Sequence, residues 1–254
     1  MTPKPLKHLF IFFWVFLFAA VLAAPAWSEG AQGADDIETE DLREPSAVAL
    51  PPVDEVLNKV QAHYGQKGFC SQFTQVATLT GMGIQDTASG YACFNYPDKM
   101  RWEYEVPEEQ VIISDGKRLW VYRPLDNQVL VGDSKDYFGA GEGASFLTDV
   151  NILKSQFHVS WAEQAWQHSA GLQNAWALKL TPKKENPDFT VLYLLINRKT
   201  YSIFETASFN NFGDETRINF AEPDFSTPPK DSEFVLTIPE GVDVMEMSGA
   251  PEGE

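Results

Sequence analysis

Four histidines, one pair of cysteines and many scattered carboxylates are the first residues to ask for bond-making chemistry, and His8 falls in the N-terminal segment 1–26. His63, His158 and His168 are far apart, and none has a Cys, His or Glu at the spacing of a metal-ligand set. No G-x-S-x-G elbow and no phosphate-cradling glycine loop occurs. Glu103 and Glu105 alternate with Arg101, the pattern of the wet face of a strand, and nothing selects a carboxylate pair for acid–base work. These residues give no reason to expect an enzyme, a cofactor or a metal. Cys70 and Cys93 lack the C-x-x-C spacing of a redox pair. They lie about equally far on either side of Gly81-Met82-Gly83, so a hairpin turning there would set them face to face as a disulfide. That bridge would close a loop of 24 residues, a stabilisation of about 3 kcal/mol on the chain-entropy view.

Such a bridge needs an oxidising compartment, and the start of the chain supplies the address. Lys4 and Lys7 precede an apolar run of 16 residues, Leu9 to Ala24, which ends in Ala24-Pro25-Ala26. Basic start, short apolar middle and small-residue exit read as a secretory signal peptide over 1–26, cleaved near Ala26; a spanning helix needs roughly 20 apolar residues. Its removal takes two lysines and no acids, so the charge of −17 becomes −17 − 2 = −19. So acidic a chain repels phosphate backbones and anionic membrane surfaces, which argues against nucleic acid as a partner. Residues 27–52 are acidic and poor in large apolar groups, and read as a disordered linker; 247–254 reads as a disordered tail.

Between these ends lies the folded part. Val53, Val56, Leu57, Val60 and Tyr64 recur at helical intervals, predicting one amphipathic helix that stops near Gly65 or Gly68. After it come short alternating segments separated by Gly, Pro, Asn and Asp. Strands are expected from Phe73, over 100–106, 111–113, 119–122 and 128–131, then at 157–161, 175–181, 189–196, 202–210, 215–220 and 234–238. The architecture is mainly β, with about ten antiparallel strands curving into a single barrel-like sheet. Asp115-Gly116 is expected to close a two-residue hairpin in which Ile112 pairs with Leu119. A second helix is expected over 145–156, with Phe146, Leu147, Val150 and Leu153 on one stripe after the glycines of 139–143. It would act as a hinged lid or as a plug for the end of the barrel.

Met100, Trp102, Tyr104 and Val106 alternate with charge, but Val111 to Ile113 and Leu119 to Tyr122 are apolar on both faces. Strands of that kind are covered on both sides, by other elements of a packed barrel or by a ligand.

The order of several short motifs resembles a known family. The helix is followed by Phe73-Thr74-Gln75, Ser89-Gly90-Tyr91, Tyr96-Pro97 and Met100-Arg101-Trp102, then by the run Ser114 to Tyr122 (SDGKRLWVY), Leu180-Thr181-Pro182 and Ile238-Pro239-Glu240-Gly241-Val242. From about 53 to 246 the chain resembles LolA, the periplasmic carriers of outer-membrane lipoproteins in Gram-negative bacteria. The resemblance implies an incomplete antiparallel β-barrel whose apolar cavity is closed by helices and holds lipoprotein acyl chains. It implies a monomer that receives cargo from an inner-membrane ATP-driven lipoprotein-releasing complex and passes it to an outer-membrane acceptor lipoprotein. On that reading Met100, Trp102, Tyr104, Ile112, Leu119 and Val121 line the cavity, unless the opposite face with Trp120 and Tyr122 points inward. Phe146, Leu147, Val150 and Leu153 form the lid. Family members carry an Arg before the Pro of the second strand, where it bonds the lid. Here Tyr96 holds that place and could donate one hydrogen bond but no charged fork. The readings left open beside this are a LolA-like carrier of another lipid, such as a glycolipid or hopanoid, and an envelope-stress sensing module.

Overall fold

The computed structural model describes residues 50–65, 67–134, 151–167, 174–185 and 189–247. The signal peptide, nearly all of the acidic linker, the tail from 248 and the lid positions Phe146, Leu147 and Val150 lie outside them.

Helix α1, Val53–Tyr64, forms where the periodicity predicts it and buries Val56, Leu57, Val60 and Tyr64. Asp54 and Glu55 sit in its first turn, where the helix dipole favours acid. Gly65 ends it in the left-handed conformation (φ 50°), its N–H donating to the Gln61 carbonyl. From Pro52 onward the chain forms one compact unit.

The strands are β1 (Phe69–Leu79), β2 (Ile84–Asn95), β3 (Lys99–Val106), β4 (Gln110–Asp115), β5 (Arg118–Arg123), β6 (Gln128–Asp133), β7 (Phe157–Trp161), β8 (Ala175–Pro182), β9 (Val191–Asn197), β10 (Ile203–Phe209), β11 (Glu215–Phe220) and β12 (Asp243–Glu246). Two short helices, α2 (Asn151–Gln156) and α3 (Gln164–Gln167), flank β7. All twelve strands belong to one sheet in the order β12-β6-β5-β4-β3-β2-β1-β11-β10-β9-β8-β7. The outermost members, β12 and β7, do not pair, so the sheet is open. Neighbours are antiparallel except β12, which lies parallel to β6.

The sheet is strongly curved. Trp102 on β3 and Phe220 on β11 are separated by β2 and β1, three strand spacings or roughly 14 Å on a flat sheet. Their ring centroids are 6.0 Å apart, so the side chains of this face converge. α1 packs on that concave face: the Tyr64 ring lies 5.1 Å from Phe69 on β1, and its hydroxyl accepts the Ile203 N–H of β10 at 3.0 Å. α2 joins α1 through Lys154, whose ammonium reaches the Asn58 side chain at 2.8 Å and the Asp54 carboxylate at 3.2 Å.

Three expectations need correction. Residues 234–238 are not a strand. Asp231–Phe234 is a single 3-10 turn, and the final strand is β12. The alternation of Phe234, Leu236 and Ile238 imitates a strand, but this segment crosses the convex face and is held there by side chains. Arg101 donates to the Glu233 carbonyl at 3.1 Å and Asn95 to that of Pro229 at 3.4 Å. Second, the β4–β5 hairpin turns at Gly116-Lys117, pairing Ile112 with Val121 and Ser114 with Leu119. Asp115 closes the turn instead of occupying it, since its carboxylate accepts the N–H groups of Lys117 (2.8 Å) and Arg118 (2.7 Å). The shift is by two residues, so every side chain keeps its face. Third, the sheet includes the parallel β12–β6 pair, whereas every pairing was expected to be antiparallel.

Candidate functional site

Register decides which side chains share the concave face. β3 pairs with β2 through Trp102↔Ala92 and Met100↔Phe94, and with β4 through Trp102↔Ile112. β1 pairs with β2 through Phe69↔Phe94 and Phe73↔Gly90, and with β11 through Phe73↔Phe220. The six expected wall residues, Met100, Trp102, Tyr104, Ile112, Leu119 and Val121, therefore lie on one face, and all are buried. It is the face on which α1 packs.

Aromatic rings knit this face across the sheet. Phe69 and Phe94 stack at 5.1 Å, and Phe94 meets Trp102 edge-on at 5.6 Å. Phe73 packs edge-on against both Trp102 and Tyr104, each at 4.8 Å. Edge-to-face contacts of this kind suit the quadrupoles of the rings. The surface continues across the other half of the sheet through Leu178, Leu180, Leu192, Leu194 and Ile196, and α2 contributes Leu153, also fully buried. Tyr64, Phe69, Phe73, Phe94 and Phe220 were missed in the sequence. The signal was present, because pairing Cys70 with Cys93 sets Phe69 opposite Phe94 and Phe73 opposite Gly90.

Gly90 makes this packing possible. A β-carbon there would fall 1.9 Å from the Glu103 carbonyl oxygen, at a place where the β2–β3 register slips. Only glycine lets the two backbones approach so closely beneath the Phe73 and Tyr104 rings.

The concave face carries no buried charge among the described residues. Its buried polar side chains, Ser71, Gln75, Ser114 and Thr206, are neutral. The Tyr104 hydroxyl donates to Gln75 Oε1 at 3.1 Å, and burial pushes its pKa well above the ordinary tyrosine value. Burial likewise raises Tyr64, with the Ile203 N–H acting in the opposite direction. Both stay neutral, as an apolar site requires.

The convex face is organised differently. The disulfide joins Cys70 and Cys93 directly across the β1–β2 pair, with Cα atoms 4.1 Å apart. It packs with Ile113, Trp120, Val129 and Val131 beneath Phe234, while Leu236 and Val242 lean on the cluster. The C-terminal segment thus explains why β4 and β5 are apolar on both sides. At the other wing Trp166 of α3 stacks on Tyr193 at 4.1 Å over Ala177, Leu195 and Ala207. Arg217, over the Trp166 ring, pairs with Glu205 and Glu215 at 2.5 Å each. Burial raises the Glu205 pKa more than Arg217 lowers it.

The groups that could have done chemistry are dispersed. Burial against Phe225 and Tyr64 lowers the pKa of His63, His158 points to solvent, and His168 lies outside the described residues. Arg101 pairs with Glu103 on the wet side of β3. No cluster of three or more His, Cys, Asp or Glu residues that could hold a metal occurs among the described residues. Tyr96 sits in the β2–β3 turn, 37% exposed, and its hydroxyl has no partner among the described residues.

An open, curved sheet with a neutral aromatic concave face and a helix laid across it defines a class of protein that could hold apolar matter. Comparison with known proteins narrows the class. The family model for the outer membrane lipoprotein carrier protein LolA matches residues 65–237, more than half of the chain. The chain belongs to the LolA family. An outer-membrane lipoprotein carrier protein of Xanthomonas axonopodis pv. citri is 33% identical over 187 residues, covering 71% of this chain and 83% of the relative. One from Bordetella pertussis is 30% identical over 233 residues, covering 92% and 94%. A crystal structure of an uncharacterized conserved protein from Thermus thermophilus superposes with TM-score 0.50 at 14% identity over 76% of this chain and 98% of that one, a likeness of fold. No described helix is long and apolar enough to cross a membrane.

Proposed function

We propose that this protein is a periplasmic carrier that binds the acyl chains of lipoproteins and takes them from the inner to the outer membrane. The observation that carries the reading is the neutral, aromatic concave face running through Phe94, Trp102, Phe73 and Phe220, with α1 and α2 laid over it. Acyl chains would be held there, against Met100, Trp102, Tyr104, Ile112, Leu119 and Val121, under a lid of Phe146, Leu147, Val150 and Leu153 with Tyr96 as its latch. The relatives named as outer-membrane lipoprotein carriers support this cargo. Export by the signal peptide places the protein between the two membranes. Its partners are an ATP-driven lipoprotein-releasing complex on the inner side and an acceptor lipoprotein on the outer.

The physical need for such a carrier is plain. Each CH₂ removed from water contributes about 0.8 kcal/mol, so one long acyl chain costs on the order of 10 kcal/mol in water and will not cross an aqueous gap uncovered. Release at the far side requires that the carrier match a bilayer without exceeding it. A photo-crosslinking amino acid at Tyr104 tests the assignment, with Tyr91 on the solvent side of β2 as control. Adducts with lipoproteins at 104 and none at 91 are expected. Equal adducts at both positions would overturn the assignment of the concave face, and adducts at 104 with free lipid alone would reassign the cargo.

A further inference from the structure

The turns at one end of the sheet are exposed in an unusual way. The β1–β2 turn presents Met82, 58% exposed, and the β10–β11 turn presents Phe212, 85% exposed. The two turns are tied together: the Thr80 N–H donates to Asp214 Oδ1 at 2.9 Å, and the Thr80 hydroxyl to the Gly213 carbonyl at 2.7 Å. From Ala77 to Gln85 and from Thr206 to Gly213 there is no charged residue. The one charge between the tips, Asp214, is engaged by Thr80 and by the Asn210 amide at 3.0 Å.

Most of the tip amides are also accounted for, those of Gly81 and Asn211 alone having no partner among the described residues. Met82 N–H donates to the Leu79 carbonyl, Gly83 to that of Thr80 and Gly213 to that of Asn210. Phe212 and Asp214 donate to the Asn210 side-chain oxygen at 2.9 and 3.0 Å. Taking this tip out of water would leave none of these five donors bare, and a bare donor is what makes loops costly in lipid. A protein partner could supply hydrogen bonds to open amides; an acyl layer could not. We infer that the joined tips form a rigid apolar finger that dips into the surface of a phospholipid bilayer, Met82 and Phe212 entering below the headgroups. The charge of −17 − 2 = −19 that remains without residues 1–26 opposes approach to anionic lipid, so the finger suits a surface without net charge. Leu125 and Val106 are exposed at the same end, but their turns carry Arg123 and Asp126, and Glu108 and Glu109. They lack the neutral surroundings that entry needs. This inference does not depend on what the concave face holds.

Flotation of the whole protein with phosphatidylcholine–phosphatidylethanolamine vesicles, free of lipoprotein, tests it. Measurable binding that changes less than about twofold between roughly 50 and 500 mM salt is expected, with a loss of about tenfold or more in the Met82→Ser/Phe212→Ser variant. Leu125→Ser, equally exposed but outside the finger, should bind like the parent. The inference is overturned if the parent does not float, if the double variant floats as well, if Leu125→Ser loses as much, or if anionic lipid and low salt drive the binding. Both variants alter solvent-exposed turn residues, and urea midpoints matching the parent will show that folding is intact.

Discussion

Replacing Trp102 by alanine puts the concave face to a quantitative test. The indole is buried on the central strand β3, touching Phe73 at 4.8 Å, Phe94 at 5.6 Å, Phe220 at 6.0 Å and Tyr104 at 6.3 Å between ring centroids. Truncating a buried Trp costs about 3–5 kcal/mol, and each aromatic pair adds roughly 0.5–1.5 kcal/mol beyond burial. With four rings in contact, the upper part of that range, about 4–5 kcal/mol, is expected for the lipid-free protein. At a urea m-value of about 2 kcal/mol/M, the unfolding midpoint should fall by about 2 M. Tyr91→Ala, on the solvent side of β2, should move it by no more than about 0.3 M. An acyl-chain ligand that fills the vacated space should narrow the gap between Trp102→Ala and its parent, because ligand bound only to the native state stabilises that state. A loss below about 1 kcal/mol would refute the packing argument. An unnarrowed gap with saturating ligand would separate the Trp102 site from the ligand.

Other outcomes follow from the same geometry. Gly90→Ala forces a methyl against the Glu103 carbonyl and should destabilise by about 2 kcal/mol or more in the same urea assay. Cys70→Ser/Cys93→Ser frees a loop spanning 23 positions, and should cost about 3 kcal/mol, as should reduction of the parent; equal midpoints with and without reductant would contradict this. Glu205 gives a pH signature. Its folded pKa lies above the unfolded one, so its contribution to stability is complete below the unfolded carboxylate pKa of about 4.3 and is lost as pH rises through the higher folded value. Glu205→Gln, which cannot ionise, should therefore gain stability relative to the parent between about pH 4 and pH 7 in urea titrations; a relative loss over that interval would reverse the assigned sign.

Much of the concave face was legible because a strand's period of two commits alternate residues to one side. Met100, Trp102 and Tyr104 declared that side, and the β4–β5 register error of two residues left Ile112, Leu119 and Val121 on it. The cysteine pair carried the β1–β2 register, and Phe94 and Phe73 could have been read from it. The convex cover was not legible. Phe234 and Leu236 reach a cluster begun at Cys70, far earlier in the chain, and no local pattern records so distant a contact. The same alternation that serves this cover imitates a strand at 234–238. The Asp115 turn was misread because Asp-Gly fits the loop of a hairpin as well as its closing position, and only the carboxylate's bonds to Lys117 and Arg118 distinguish the two.

Whether acyl chains are the cargo is tested most directly by native mass spectrometry of the protein purified from its own periplasm, with identification of whatever is released. A one-to-one complex with an acylated lipoprotein is the predicted result, and it should be lost when a charge is set on the concave face, as in Trp102→Glu, in a variant that remains folded. A complex with free lipid alone, or lipoprotein that stays bound after the concave face is altered, would contradict it.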